Sequence, residues 1–310
     1  MKPTPGNVCL SVFICGLPLL VSAQETPEFT IHSSVERVLL DVSVKDARGG
    51  FIRGLGKDNF RIFEDGKPQE VSEFAAGDIP VTVGIVVDQS WSMAPKQTEV
   101  LTAALTFARE SNPRDEMFVI HFNEKVTRGL PKQVLFTDNL EMLRSALLAG
   151  IPEGRTALYD AIVDALKQLD EGRQALKTLV LITDGGDNVS KHTRADVLRL
   201  TEETSATIYT VGVFDENDPD RNPRLLRKLA EISGGVAFFP GKLDDVVPIC
   251  RGIAKDIRNR YVVGYTPHSG TGMESIRHIG VQVRASGHGR LIARTRASYL
   301  YTPATEAARR

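Results

Sequence analysis

Residues 81–93 read Val-Thr-Val-Gly-Ile-Val-Val-Asp-Gln-Ser-Trp-Ser-Met. The run up to Asp88 is continuously apolar or small, without alternation, which is the pattern of a strand covered on both faces. Asp88 closes it. Ser90 and Ser92 then follow at alternate positions, so in an extended loop both hydroxyls point the same way as the carboxylate. Strands of this kind belong to parallel sheets, and the neighbouring sequence supports one.

Downstream, "KQTEVLTAALTFARE" has helical spacing and "EMFVIHF" is strand-like. Two helical stretches follow, "NLEMLRSALLAG" and "ALYDAIVDALKQLDEG", the second stopping at Gly172. Strand "LKTLVLITD", helix "RADVLRLTEET", strand "ATIYTVGVF", helix "PRLLRKLAEISGG", strand "VAFFP" and helix "VVPICRGIAKDIRN" complete the series. Strands alternating with helices predict an α/β fold: a doubly wound, mostly parallel sheet with helices on both faces, over residues 80–259.

The flanks are different. From Phe29 to Phe74 the period is two, with Leu40, Val42 and Val44 on one face and Asp41, Ser43 and Lys45 on the other. "NFRIFEDGKPQEVSEF" reads as two strands joined through Asp65-Gly66, and "AAGDIP" as the linker into the central domain. The tail, residues 260–310, reads as three strands, "RYVVGYTP", "ESIRHIGVQVRA" and "RLIARTRASYL", with glycine-rich turns between them. Residues 24–79 and 260–310 are each small alone, so they are expected to pack together as one sandwich-like β unit. Arg277, Arg284, Arg290, Arg294 and Arg296 fall at mostly even spacing and read as a solvated face that protects sheet edges, or else as a basic stripe.

Residues 1–23 carry Lys2, an apolar core broken by Gly16 and Pro18, and the small-residue site Val21-Ser22-Ala23. They read as a secretory signal peptide cleaved near Ala23-Gln24, with an uncleaved anchor as the alternative. The mature chain is then expected to be exported, periplasmic or extracellular, and without a transmembrane segment. Cys9 and Cys15 leave with the signal, so Cys250 is alone and reads as a buried, inert thiol. Lys plus Arg is 38 against 39 for Asp plus Glu, a balance that argues against nucleic acid or a polyanionic surface as the main partner.

Two further stretches carry oxygen. "EGRTALYDAI" places Thr156 at a helix start, and "LVLITDGGDN" ends a strand with Thr183-Asp184-Gly185. Each alone is an ordinary cap or turn. In a doubly wound sheet, however, strands ending in Asp88 and Asp184 become neighbours at the crevice where ligands bind. Two carboxylates and three hydroxyls there make an all-oxygen set suited to Mg²⁺, Mn²⁺ or Ca²⁺. Neutral hydroxyls leave such an ion with surplus charge for an outside carboxylate.

The set resembles the metal-ion-dependent adhesion site of the von Willebrand factor A family. Asp88, Ser90 and Ser92 form the Asp-x-Ser-x-Ser element, followed by Thr156 and by Asp184 in "TDG". The flanks "VSVKDARGGFIRGLGKDNFRIFEDGKPQEVSEF" and "RYVVGYTP…RLIARTRASY" resemble those of exported bacterial proteins related to that family. The resemblance implies a Rossmann-like domain whose two serines and threonine bind Mg²⁺ directly, while Asp88 and Asp184 act directly or through water. Mn²⁺ and Ca²⁺ are the alternatives. A partner's Glu or Asp completes the coordination, with Trp91, Arg155 and Gly185 as further contacts. Trp91 stands where relatives often have glycine, and either packs on the domain's own surface or forms an apolar rim.

The implied function is an exported, metal-dependent protein-binding or adhesion module rather than an enzyme. A metal-dependent hydrolase or phosphoryl-transfer enzyme using Asp88 is the rival, but no glycine-rich loop with lysine follows Asp88. Nor does a Gly-x-Ser-x-Gly elbow surround either serine. The six histidines show no paired metal spacing, and His121, inside "FVIHF", reads as a core residue. A structural envelope subunit with an incidental metal is the third reading.

Overall fold

Every residue of Val81–Asp88 is buried, as a strand sandwiched between helical layers must be. The computed structural model describes residues 37–215, 221–267 and 274–302. The signal-peptide reading and the period-two pattern before Arg37 lie outside the described residues, as does the turn at 268–272.

Four strands come first: β1 (Val38–Lys45), β2 (Phe60–Glu64), β3 (Lys67–Gln69) and β4 (Glu73–Gly77). The central part runs β5 (Val81–Asp88), α1 (Gln97–Glu110), β6 (Glu116–Phe122), β7 (Val126–Arg128), α2 (Leu140–Leu148) and α3 (Leu158–Asp170). It continues with β8 (Leu176–Thr183), α4 (Arg194–Glu203), β9 (Thr207–Gly212), α5 (Pro223–Ser233), β10 (Ala237–Phe238) and α6 (Val246–Ile257). β11 (Arg260–Tyr265), β12 (Ser275–Val283), β13 (Ile292–Arg294) and β14 (Ser298–Tyr301) close the described chain.

The central sheet has the order β10-β9-β8-β5-β6-β7, parallel except for β7. Helices flank it. α1 shows why: Val100, Ala103, Ala104 and Phe107, spaced i, i+3, i+4, i+7, are all buried. From β5 the chain steps to β6 on one side and later returns to β8 on the other, so the strand order reverses at β5. The register sets Asp88 opposite Phe122, Val87 opposite Ile182 and Thr183 opposite Gly212. The carboxyl ends of β5, β6, β8 and β9 therefore share one edge.

The terminal strands form two antiparallel sheets, β13-β1-β11-β4 and β14-β12-β2-β3, each mixing early and late parts of the chain. They share an apolar core that includes Leu40, Val42, Ile62, Val263 and Tyr265. Within it, Glu64 of β2 accepts from Tyr265 of the opposite sheet at 2.6 Å and from Tyr299 at 2.8 Å, and pairs with Arg277 at 2.6 Å. A second buried cluster joins this unit to the central domain. Asp256 of α6 accepts from Ser43 of β1 at 3.0 Å, from Tyr209 of β9 at 2.5 Å and from Arg260 at 3.1 Å, and it also pairs with Arg294.

Several sequence expectations are corrected here. Asp65 and Gly66 do make the tight turn, with φ of 48° and 78°, but Glu73–Gly77 leaves that hairpin and pairs with β11 in the other sheet. The supposed linker "AAGDIP" thus begins inside a strand. "RLIARTRASYL" is two strands in two sheets, and between them Arg296 turns inward to donate to the Thr204 and Glu202 carbonyls at the C-terminal end of α4. The arginine stripe is not a solvated face: Arg277 and Arg296 are buried and Arg294 pairs with Asp256, while Arg284 and Arg290 are exposed. Partners distant in sequence decide this. β7 was not legible, being three residues long.

Candidate metal centre

The site is built at the shared carboxyl edge. Asp88 ends β5, and its carboxylate is fixed from both sides. Oδ1 accepts from Ser90 N at 2.8 Å, and Oδ2 accepts from the Thr183 hydroxyl at 2.6 Å. The Ser90 and Ser92 hydroxyls lie 3.1 Å apart, so they do converge. Ser92 is exposed whereas Ser90, Asp88, Asp184 and Thr156 are buried, which gives the cluster a floor of carboxylates and a mouth of hydroxyl.

Two backbone bonds zip the β5 loop to the segment before α3. Trp91 N donates to the Gly154 carbonyl at 3.1 Å, and Glu153 N donates to the Gln89 carbonyl at 2.9 Å. Thr156 is carried to the same edge by this pairing. It is not a helix cap, because the residue at the start of α3 is Ala157. The orphan amides of α3 are served from the loop after β8 instead. Asp187 accepts from Tyr159 N and Ser190 Oγ from Asp160 N, while just before the helix Asn188 Oδ1 accepts from Thr156 N. Ser90 likewise stands before the short helical turn Trp91–Lys96 without capping it through its side chain. The capping roles that would have explained these residues individually are absent.

Asp184 follows β8 directly, beside Asp88. Burial, and then the Asp184 charge, push the Asp88 carboxyl up to about 7, against the bonds from Ser90 and Thr183 that favour its ionised form. Two repelling carboxylates held together away from water are matched by a hard cation. Among the described residues no three His, Cys, Asp or Glu side chains gather as a metal cluster, and the other oxygen-bearing side chains expected here are the hydroxyls of Ser90, Ser92 and Thr156. The donor chemistry fits Mg²⁺ better than a softer ion.

The other expected contacts sit as follows. Trp91 is 71% exposed and does not pack on the domain's surface; Ile151, in the segment zipped to it, is exposed to the same degree. Arg155 is exposed and pairs with Glu124 at 3.2 Å. Gly185 is buried with φ of 86°, and a Cβ there would meet Phe214 at 2.9 Å, so its part is to shape the turn after Asp184. Lys96 was not expected at all. Its Nζ lies 3.7 Å from Asp184 Oδ2, 2.9 Å from Asp215 Oδ2 and 2.9 Å from the Val213 carbonyl. Nothing in its local sequence signals this, since both acidic partners come from other strands' ends.

His121 and Cys250 sit as the sequence suggests. His121 is buried, with Nε2 2.8 Å from the Ala146 carbonyl, and burial lowers its pKa. Cys250 is buried, its thiol pushed up to about 12.

Residues 82–247, more than half of the chain, match the family model described as von Willebrand factor type A domain. The chain belongs to that family. Domains of this family generally mediate protein–protein interaction and are typically not enzymes. No curated protein matches the sequence. Among solved structures, the chain is similar to a von Willebrand factor type A protein from Catenulispora acidiphila, with 15% identity, a TM-score of 0.52, and coverage of 81% of this chain and 75% of that one. It is also similar to proximal thread matrix protein 1 from the mussel byssus, with 15% identity, a TM-score of 0.50, and coverage of 63% and 51% respectively. A third similar structure is the vWF domain of the type V pili tip protein Mfa5 from Porphyromonas gingivalis, at 15% identity, a TM-score of 0.45, and coverage of 59% and 96%. These likenesses concern the fold. Among the described residues, no helix is long and apolar enough to cross a membrane.

Proposed function

We propose that this von Willebrand factor A domain protein binds one Mg²⁺ through Ser90, Ser92 and Thr156, with Asp88 and Asp184 beneath, and uses it to capture a carboxylate on a protein partner. The carrying observation is the side-by-side burial of Asp88 and Asp184 under a converging serine pair. When bound, the ion supplies the positive field that holds the partner's Asp or Glu. The chain's own residues set that field. Three donors would be neutral hydroxyls, and Asp88, already held by Ser90 N and Thr183, would hold the ion directly or through water. Trp91, with Ile151, offers an apolar rim to the partner, and Arg155 a polar one. The apolar, small-residue-ended leader at 1–23 supports export to the periplasm or outside the cell.

The test is thermal. Mg²⁺ raises the melting temperature of the wild type by mass action and does not raise that of Asp88→Ala. Capture of a partner from the periplasmic or extracellular fraction is lost with EDTA, with Thr156→Ala and, more mildly, with Trp91→Ala. Turnover of a phosphoester or ester that depends on Asp88 would replace this reading with the enzymatic one.

A further inference from the structure

Lys96 ends the short helical turn that follows the serine pair, and its side chain is almost wholly buried. A charge that deep is tolerated only when paired. Its Nζ lies 2.9 Å from both the Val213 carbonyl and Asp215 Oδ2, and Asp184 Oδ2, at 3.7 Å, is within ion-pair distance. The two carboxylates are unlike. Asp184 is as buried as the lysine, whereas the Asp215 side chain is 61% exposed and shares its charge with water. Lys96 is therefore a buried cation standing on one of the two carboxylates at the floor of the centre.

Charge bookkeeping shows what that does. Asp88 and Asp184 carry two negative charges, which a divalent ion alone would cancel. With Lys96 the buried groups of the loaded centre sum to one positive charge toward the exposed Ser92 mouth, which Asp215, 61% exposed, offsets only in part through water. The same lysine repels an incoming ion and competes with it for Asp184. We propose that Lys96 is the internal counter-charge of this centre, weakening its hold on the cation while keeping the loaded site positive toward an anion, and that Asp215 tunes the balance by drawing the lysine off Asp184. This rests on the reading of the centre as a cation site.

The experiment is calorimetric titration of the full mature chain with MgCl₂, comparing wild type, Lys96→Met and Asp215→Asn. Removing the charge while keeping the chain length should tighten Mg²⁺ binding about tenfold or more. Asp215→Asn leaves Lys96 with Asp184 and the Val213 carbonyl, without a second carboxylate, and should loosen Mg²⁺ binding about threefold or more. Damage to the site would only weaken binding, so a tighter Lys96→Met variant is not explained by a structural role. Wild-type binding that depends on Asp88, with equal or weaker binding in a folded Lys96→Met, overturns the role of Lys96 and leaves the cation reading standing. Wild type that binds no Mg²⁺ overturns both. Should Lys96→Met fail to fold, Asp215→Asn decides, and unchanged or tighter binding in it overturns the proposal.

Discussion

The Thr183 hydroxyl donates to Asp88 Oδ2 at 2.6 Å while accepting from Gly185 N at 2.9 Å. One small side chain thus connects the ends of two neighbouring strands to the turn that carries Asp184. Thr183→Val keeps the shape and removes the donor. It leaves a buried carboxylate oxygen and a buried amide without that partner, so it should cost about 1–3 kcal/mol in urea unfolding. Mg²⁺ binding should weaken in the same variant, as titration calorimetry would show.

Protonation gives a second expectation. The folded Asp88 carboxyl is raised to about 7 from an ordinary value of 3.8, so between those values the native state holds a proton that the unfolded state has lost. Without metal, this group's contribution to stability therefore falls as pH rises from about 4 to 7 and levels off above. Asp88→Asn should flatten that part of the curve. Mg²⁺ displaces the proton, so its stabilising effect on the wild type should be larger at pH 8 than at pH 5.5. Melting curves across pH with and without MgCl₂ check both statements.

Gly185→Ala places a methyl 2.9 Å from the Phe214 ring at a φ of 86°. The strain should cost about 1–3 kcal/mol, and because the turn holds Asp184, metal affinity should fall with it. A variant as stable as wild type in urea would contradict this account of the turn.

Asp256 is the centre of the seam between α6 and the terminal strands. Burial alone would raise its carboxyl, but Arg260 and Arg294 hold it well below the usual range. Its stabilisation is present above about pH 4 and lost as pH falls further. Asp256→Ala takes a buried carboxylate from Arg294 and from Arg260, which keeps Asp41 at 3.1 Å, and should cost about 3–5 kcal/mol at neutral pH, with the loss shrinking in acid. Urea midpoints at pH 7 and pH 3 measure it.

The central sheet was legible because its signals are local. An unbroken apolar run such as Val81–Val87 declares a covered strand, and alternation with helical spacing declares parallel neighbours. That adjacency brought the strands ending in Asp88 and Asp184 together on paper, and the register places them so. The rest depends on partners far along the chain. Arg277 and Arg294 sit at strand-like positions whose local pattern is the same for a solvated face as for a buried pair, and only Glu64 and Asp256 decide which. Lys96 is one lysine in an ordinary helix start until β9 delivers Asp215 beside it. Likewise the break between Arg294 and Ser298 has no composition signal, because the carbonyls that draw Arg296 inward belong to Glu202 and Thr204.

Val42 pairs with Tyr261, and Ile62 with Val281. The first strands to be made thus find their partners among the last, with the whole central domain synthesised in between. β1 and β2 must remain open edges through most of synthesis, which is the kind of long-range pairing that folds slowly and invites wrong pairing with other chains. The central domain is free to fold earlier, since its own strands pair only among themselves. Maturation then has an order: the domain that carries the candidate site first, and the clasp formed by both flanks last. A nascent or truncated chain lacking residues beyond 260 would hold the oxygen cluster yet leave β1 and β4 unpaired and β2 with β3 alone.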